Sequence, residues 1–416
     1  MAEGNVMEKI VSLCKRRGFV YPASEIYGGI NGFWDYGPLG SLLKNNIRDS
    51  WWRTMVEAPP IGPDGHPIDM VGVDTAIIQN PKTWVASGHA STFTDPMVDC
   101  RACKARFRGD HIKAMELIFV ENDYHALISG IGEPDEIKAA NQKKISKLQK
   151  AQGVAFTVSG FIPYTKLNEE GRKRVPCPEC GEVGTLTEPR QFNLMFETHV
   201  GAVQDEETKA WLRPETAQGI FLNFKNIIDT TRVKIPFGVA QIGKSFRNEV
   251  TPRNFIFRSR EFEQMEMEFF CHPDESRMWY EFWTAERMRW WQSIGIKKEN
   301  LRLREHEKDE LSHYSKMTVD IEYKYPFTAP DFGELEGIAH RGDYDLTQHQ
   351  THSGNRLDYF DQELQLKLKA EGKSDEEVKS KSRYIPNVIE PASGLTRAVL
   401  LLLCEAYAED ATRPSP

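Results

Sequence analysis

The chain has 416 residues, 27% charged and 40% hydrophobic, and carries a net charge of −8 from 53 basic against 61 acidic residues. That length allows two or three domain-sized units. The acidic balance excludes a protein that coats nucleic acid, so any RNA contact must be local.

In chain order, the first element is a helix over Leu39–Val56, predicted from apolar residues at Leu39, Leu42, Leu43, Ile47, Trp51 and Met55. Four of the seven cysteines form two knuckles, Cys100-x-x-Cys103 and Cys177-x-x-Cys180. Paired knuckles fit a tetrahedral four-thiolate zinc site, structural because a closed sulfur shell leaves no position for catalysis. The lysine-rich, helix-prone segment 112–173 must then loop out between them. The boundaries read are 1–111, an insertion 112–173, 174–409 and a tail 410–416. The basic clusters are K-K-I-S-K-L-Q-K in the insertion, Arg172 to Arg174, and Arg253. The first reads either as an RNA contact or as the solvated face of a helix.

The stretch from Ala240 to Glu249 alternates with period two. Gln241, Gly243, Ser245, Arg247 and Glu249 share one face, and Ala240, Ile242 and Phe246 the other. After V-T-P-R-N, a second strand is predicted over Phe257–Phe270, with Arg258, Arg260, Phe262, Gln264, Glu266 and Glu268 opposite Met265, Met267 and Phe269. Taken alone, such a hairpin is also compatible with solvated cross-strand ion pairs. An aromatic-rich helix over Trp279–Ile294 reads as packing, and the charged stretch Asp361–Arg383 as a surface helix. Gly394 and Arg397 open an apolar helix too short to span a bilayer. An arginine there can lie flat over an aromatic ring system such as adenine. The two stretches together read as an ATP site on antiparallel strands. No apolar signal-type segment or membrane-length run is present, and free thiols suit a reducing compartment, so the expected location is cytoplasmic, with no membrane partner.

The F-R-x-E, loop, R-x-x-x-F arrangement ending at Phe262, followed by a G-x-x-R helix start, resembles motifs 2 and 3 of class II aminoacyl-tRNA synthetases. R-G-F-V-Y-P-A-S-E-I-Y-G-G from Arg17, W-D-Y-G-P-L-G from Trp34, T-E-P-R-Q-F-N-L-M-F from Thr187, R-P-E-T-A-Q-G-I-F from Arg213 and G-E-L-E-G-I-A-H-R-G from Gly333 are similar to the homodimeric glycyl-tRNA synthetases, from Arg17 to about Glu409. The resemblance implies an α+β fold, an antiparallel sheet flanked by helices, with 1–111 and 174–409 forming the catalytic domain. It makes Leu39–Val56 the first class II motif and a homodimer interface. It also implies glycine activation by ATP with magnesium, then transfer to the 3′ end of glycine tRNA. Such chemistry needs no protein nucleophile, only positioning and charge stabilisation.

Residue by residue, the resemblance implies that Arg247, Glu249 and Arg397 carry the catalysis, with Arg247 on the α-phosphate and the glycine carboxylate. Asn248, Phe257, Arg258, Ser259, Arg260, Glu261 and Phe262 join them around ATP, as do Glu334, Leu335, Gly394, Leu395 and Thr396. Phe262 stacks on adenine with Arg397 opposite, and Glu334 is the candidate magnesium contact. Glycine falls to the acids Glu215, Glu266 and Glu390 and to Arg108, with Phe262, Glu263, Gln264, Met265, Pro391, Ala392, Ser393 and Gly394 around it. Acids recognise the ammonium, and close packing refuses a side-chain methyl at a cost of about 1–3 kcal/mol.

One departure is visible. The family commonly reads E-P-S-x-G where this chain has Ala392 and then Ser393, and adjacent residues of an extended segment face opposite ways. Members also normally continue into an anticodon-binding domain, for which 398–416 is too short, so a catalytic core without that domain is expected. Two alternatives stay open: a glycine-activating paralogue that uses another acceptor or makes dinucleotide polyphosphates, and a non-catalytic RNA- or protein-binding relative.

Overall fold

The computed structural model describes residues 4–119, 124–132, 134–308, 310–328 and 330–410. It divides into two units, Met1–Ala90 with Met195–Pro416, and Ser91–Leu194. Of the expected tail 410–416, all but residue 410 lies outside the described residues. No helix among the described residues is long and apolar enough to cross a membrane.

The first unit is built on seven strands: β1 (Asp69–Gly72), β2 (Phe237–Phe246), β3 (Glu261–Cys271), β4 (Leu301–Glu305), β5 (Met317–Tyr323), β6 (Gly333–Gly342) and β7 (Asn387–Gly394). Their order is β4-β5-β6-β7-β3-β2-β1, antiparallel throughout except for the parallel edge pair of β1 with β2. The sheet is therefore mixed at one edge, where wholly antiparallel pairing was expected. The predicted hairpin is present, with Gln241 opposite Glu266 and Ser245 opposite Phe262. Its second strand begins at Glu261, however, rather than at Phe257. Asn254 and Phe255 take φ of 57° and 58°, and Phe255–Phe257 closes a 3₁₀ turn. Asparagine tolerates the left-handed region, and Pro252 just before it can donate no ladder hydrogen bond, so the chain turns where alternation alone suggested a strand.

Period-two alternation puts Met265, Met267 and Phe269 on the core face, with Ile338, Ile389 and Val319 from neighbouring strands. Burying each contributes about 1.5–3 kcal/mol. Helices α1 (Pro38–Trp52), α3 (Ser276–Ser293) and α5 (Leu395–Ala406) supply the other half of this core. Trp279, Trp283, Trp290 and Trp291 of α3 are all buried in it, so the aromatic stripe is packing, as expected. Glu336 also points to this side, where Arg287 donates to it at 2.6 Å and the Trp291 indole donates as well. Two further helices, α2 (Ala217–Thr231) and α4 (Tyr344–Ser353), cover one end of the opposite face. Phe221, Phe224, Phe270, Val388 and Leu346 form a second cluster there. The rest of that face is polar and open.

The second unit has a three-stranded sheet ordered 190–193, 94–99, 106–108, and a separate sheet in which Ile112–Phe119 pairs with Tyr124–Ile131, Phe156–Val158 and Ile162–Pro163. It is wider than the 112–173 read from sequence, because both knuckles and their flanking strands belong to it. Alongside the expected helix, the segment 112–173 also contributes the four strands of this second sheet. The helix Gln142–Gln152 buries Ile145 and packs Leu148, with Lys143, Lys147 and Lys150 on its solvated face, whereas Lys144 is half-buried and donates to the Leu127 carbonyl at 3.4 Å. Arg172 pairs with Glu188, Lys173 with Glu169 and Arg174 with Glu116, which commits that basic cluster locally.

Candidate active site

The polar face of the sheet lines a cavity of about 360 Å³. Reading β3 from its start gives the order Phe262, Gln264, Glu266, Glu268, Phe270, aromatic and polar at the open end, acidic in the middle, apolar under α2. Neighbouring β7 contributes Glu390, Ala392 and Gly394, and β6 contributes Gly337 and Ala339. The small residues at these positions leave the space that the acids then charge.

At the open end, the Arg247 guanidinium lies 5.4 Å over the Phe262 ring and donates from Nε to the Pro214 carbonyl at 3.0 Å. Arg397, at the mouth of α5, lies 4.4 Å over Phe257 and donates to both the Glu334 carbonyl, at 3.0 Å, and the Glu334 carboxylate, at 3.1 Å. Arg397, and then Arg247, hold the Glu334 carboxyl below the usual carboxylate range against burial. In the structure the cation over Phe262 is thus Arg247, while Arg397 covers Phe257; both aromatic rings line the one cavity.

At the inner end, Glu215 precedes the first turn of α2, where the helix dipole favours negative charge. His89 Nε2 stands 3.3 Å from it, and the Gln218 amide donates to it at 3.0 Å. Burial alone would raise this carboxyl, but His89 and Arg341 hold it well down. Glu266 is the opposite case. Burial and then the charges of Glu390 and Glu215 push it well up, only partly offset by the Thr216 hydroxyl that donates to it. Glu390 is raised by burial despite the nearby Arg341, which donates to it at 2.8 Å and bidentately to Asp345 at 2.8 and 2.9 Å. One end of the cavity thus holds more acid than its buried cations neutralise, an arrangement complementary to a small ammonium.

The expected residues divide as follows. Glu249, Arg258, Ser259, Leu335 and Thr396 line the cavity with those already described, whereas Asn248, Arg260, Glu261 and Leu395 do not. Arg260 instead ties the turn together by donating to the Glu249 and Asn31 carbonyls, and Glu261 pairs with Lys244. Of the expected glycine contacts, Glu263, Met265 and Pro391 lie outside the cavity lining: Glu263 pairs with Lys44 at 2.6 Å, and Met265 is core. Arg108 belongs to the second unit, held by Asp95 at 3.1 Å and by Asp110 at 3.1 and 2.6 Å.

A family model for the tRNA synthetase class II core domain (G, H, P, S and T) matches residues 196–406. Glycine–tRNA ligases of Rhodopirellula baltica, Bifidobacterium longum and Thermobifida fusca are 47%, 48% and 46% identical to the chain, covering 97%, 97% and 98% of it and 78%, 69% and 74% of their own lengths. The chain belongs to the glycine–tRNA ligase family. It is therefore an enzyme of the ligase class, and the α+β class II core expected from the motifs is the fold observed.

Against the family pattern, the Ala392 departure acquires a geometry. Ala392 is the cross-strand neighbour of Glu266 and Gly337 on the cavity face, whereas Ser393 stands opposite Met265 and Glu336. Those partners point into the core, so although Ser393 borders the cavity its hydroxyl is directed away from the acids, with no hydrogen-bond partner among the described residues. Restoring a hydroxyl with Ala392→Ser is expected to improve the glycine Michaelis constant only modestly, by the worth of one neutral hydrogen bond, about 0.5–1.5 kcal/mol. A drop of about a hundredfold in that constant, measured by pyrophosphate exchange, would show the hydroxyl to be a major determinant.

Sequence reading missed His306, Tyr314, Thr318 and Asp320, which line the far wall. His306 Nε2 is 2.7 Å from Asp320, and Tyr314 stacks 3.8 Å from the Arg341 guanidinium. It also missed Arg341 itself. The signal was present in H-R-G at His340 to Gly342: an arginine inside an otherwise buried strand requires buried carboxylates beside it.

Proposed function

We propose that the cavity activates glycine as glycyl-adenylate and passes it to the 3′ end of glycine tRNA. The observation that carries this reading is the polarity of the pocket: arginines and aromatic rings at one end, three carboxylates at the other, with small residues between. The glycine carboxylate attacks the α-phosphate of ATP, and pyrophosphate leaves. Arg247 meets the charge that develops on the α-phosphate, and Phe262 with Arg397 holds the adenine. Glu215, Glu266 and Glu390 receive the ammonium beside the small residues Gly337, Ala339 and Ala392. Glu334, kept ionised by Arg397, suits a magnesium ion; such an ion would neutralise phosphate charge as pyrophosphate departs. Glycine-dependent exchange of pyrophosphate into ATP, followed by charging of glycine tRNA, tests the reading; exchange with no preference for glycine over alanine would overturn it.

The four knuckle cysteines support a structural zinc. Cys100 Sγ lies 3.7 Å from Cys180 Sγ, and Cys103 Sγ 3.8 Å from Cys177 Sγ. All four sulfurs fall within 4.8 Å of one another. Sulfurs at the corners of a tetrahedron with metal bonds of about 2.3 Å are separated by about 3.8 Å, far beyond the ~2.05 Å of a disulfide. Each knuckle turns on a left-handed residue, Lys104 at φ 64° and Gly181 at φ 76°, which returns the chain to a backbone bond on Cys100 or Cys177. Purified protein never exposed to chelator is expected to hold about one zinc per chain. Less than about a tenth of an equivalent by elemental analysis would exclude the site.

A homodimer is supported by apolar exposure on the first unit: Ile26, Tyr27 and Ile30, with Leu39 and Leu42 on the outward side of α1, are all exposed. A helix apolar on both sides requires a second surface to cover it. A reducing, cytoplasmic location agrees with cysteines that form no disulfide among themselves.

A further inference from the structure

Behind the three acids lies a fourth. Glu268 is fully buried, and neither of its carboxyl oxygens has a hydrogen-bond partner among the described residues. One of its oxygens lies within 4.8 Å of oxygens of both Glu266 and Glu390. The register makes this unavoidable. Glu266 stands opposite Ala392 and Phe269 opposite Ile389, so Glu268, two residues beyond Glu266 on the same face, comes level with Glu390. An antiparallel sheet that turns three glutamates to one covered face has brought their carboxyls together.

The groups that face Glu268 cannot neutralise it as an anion. Arg341 on β6 is the nearest cation, but its guanidinium is committed to Asp345 on α4 and to Glu390 on β7. Glu266 shares its own strand, and Glu215 adds a further acid at the start of α2. Burial, then Glu390, raises the carboxyl well above its ordinary range, and Arg341 only partly opposes this. An unpaired buried anion is far costlier than a neutral acid, which needs only an acceptor, and Glu390, held by Arg341, stands level with it as one.

We propose that Glu268 is a positioning residue that stays a neutral carboxylic acid, its single proton directed at Glu390, and so sets the oxygens that Glu390 and the adjacent Glu266 present to the substrate ammonium. Two O–H···O bonds through one water span about 4.5 Å, and a turn of the carboxyl closes the gap directly. This rests on the reading that the pocket takes glycine. When glycine binds, its ammonium replaces the proton that Glu266 holds in the empty cluster, whereas Glu268 keeps its own. The set then reads as two ionised acids oriented by a third that is neutral.

Pyrophosphate exchange with Glu268→Gln and Glu268→Met tests this. Glutamine keeps the shape and a donor without titrating, so its glycine Michaelis constant is expected within about threefold of wild type. Methionine removes the donor and is expected to raise that constant about tenfold or more, the loss of a hydrogen bond to a charged group, with the ATP constant unchanged. If glutamine is as poor as methionine, Glu268 acts as an anion and the proposal fails. Infrared absorption reads the proton itself. A protonated-carboxyl band is expected in the wild type saturated with glycine at neutral pH and missing from Glu268→Gln under the same conditions, and its absence from the wild type would overturn the proposal. If the band is present but exchange does not depend on glycine, the proton assignment stands and the reading of the substrate falls.

Discussion

Arg247→Ala is expected to lower glycine-dependent pyrophosphate exchange by about 10²–10³-fold, the 3–4 kcal/mol typical of losing one preorganised contact to transition-state charge. The fold should survive. Arg247 follows the last residue of β2, and its ring contact, Phe262, lies on the cavity side rather than in the core. Far-ultraviolet circular dichroism unchanged from wild type, together with lost exchange, is the expected pair of results. Exchange within about threefold of wild type would remove Arg247 from the chemistry.

Arg341→Met is expected to cost stability and function together. The side chain is buried beneath Tyr314, donating three hydrogen bonds to Asp345 and Glu390. Its removal leaves two buried carboxylates, Asp345 and Glu390, without their cation, beside Glu266 and Glu268, which offer no positive charge in its place. Breaking a buried pair by deleting one partner typically costs about 3–5 kcal/mol. Urea unfolding should show a loss of that order, and glycine affinity should fall as Glu390 gains a proton. Arg341→Lys keeps the charge but not the planar fork, and should recover part of the stability. A methionine variant within about 1 kcal/mol of wild type would show that the acids are neutral without the arginine.

Much of this was legible along the chain. The alternation over Gln241–Phe246 and Phe262–Phe270 is a local property of strands, and it assigned Met265, Met267 and Phe269 to the core and Gln264 and Glu266 to the site. The two knuckles were legible because metal-ligand spacing is short-range. The aromatic helix and the opening of α5 at Gly394 were legible for the same reason, since periodicity and capping need only a few neighbouring residues.

Sequence runs could not show which of the many polar residues meet. Arg260 and Glu261 sit in the same run as Arg258 and Phe262, yet the Glu249 and Asn31 carbonyls claim the first and Lys244 the second, away from the cavity. Asp320 and Tyr314 reach it, and Arg341 reaches its buried acids, from strands and loops far along the chain. Glu268 looked like one more charge on an alternating face until β7 brought Glu390 level with it. Side-chain direction along a strand follows from chain geometry alone, whereas burial and charge balance depend on which strands pair and in what register. Only pairing at long range makes three separate glutamates a single titrating group.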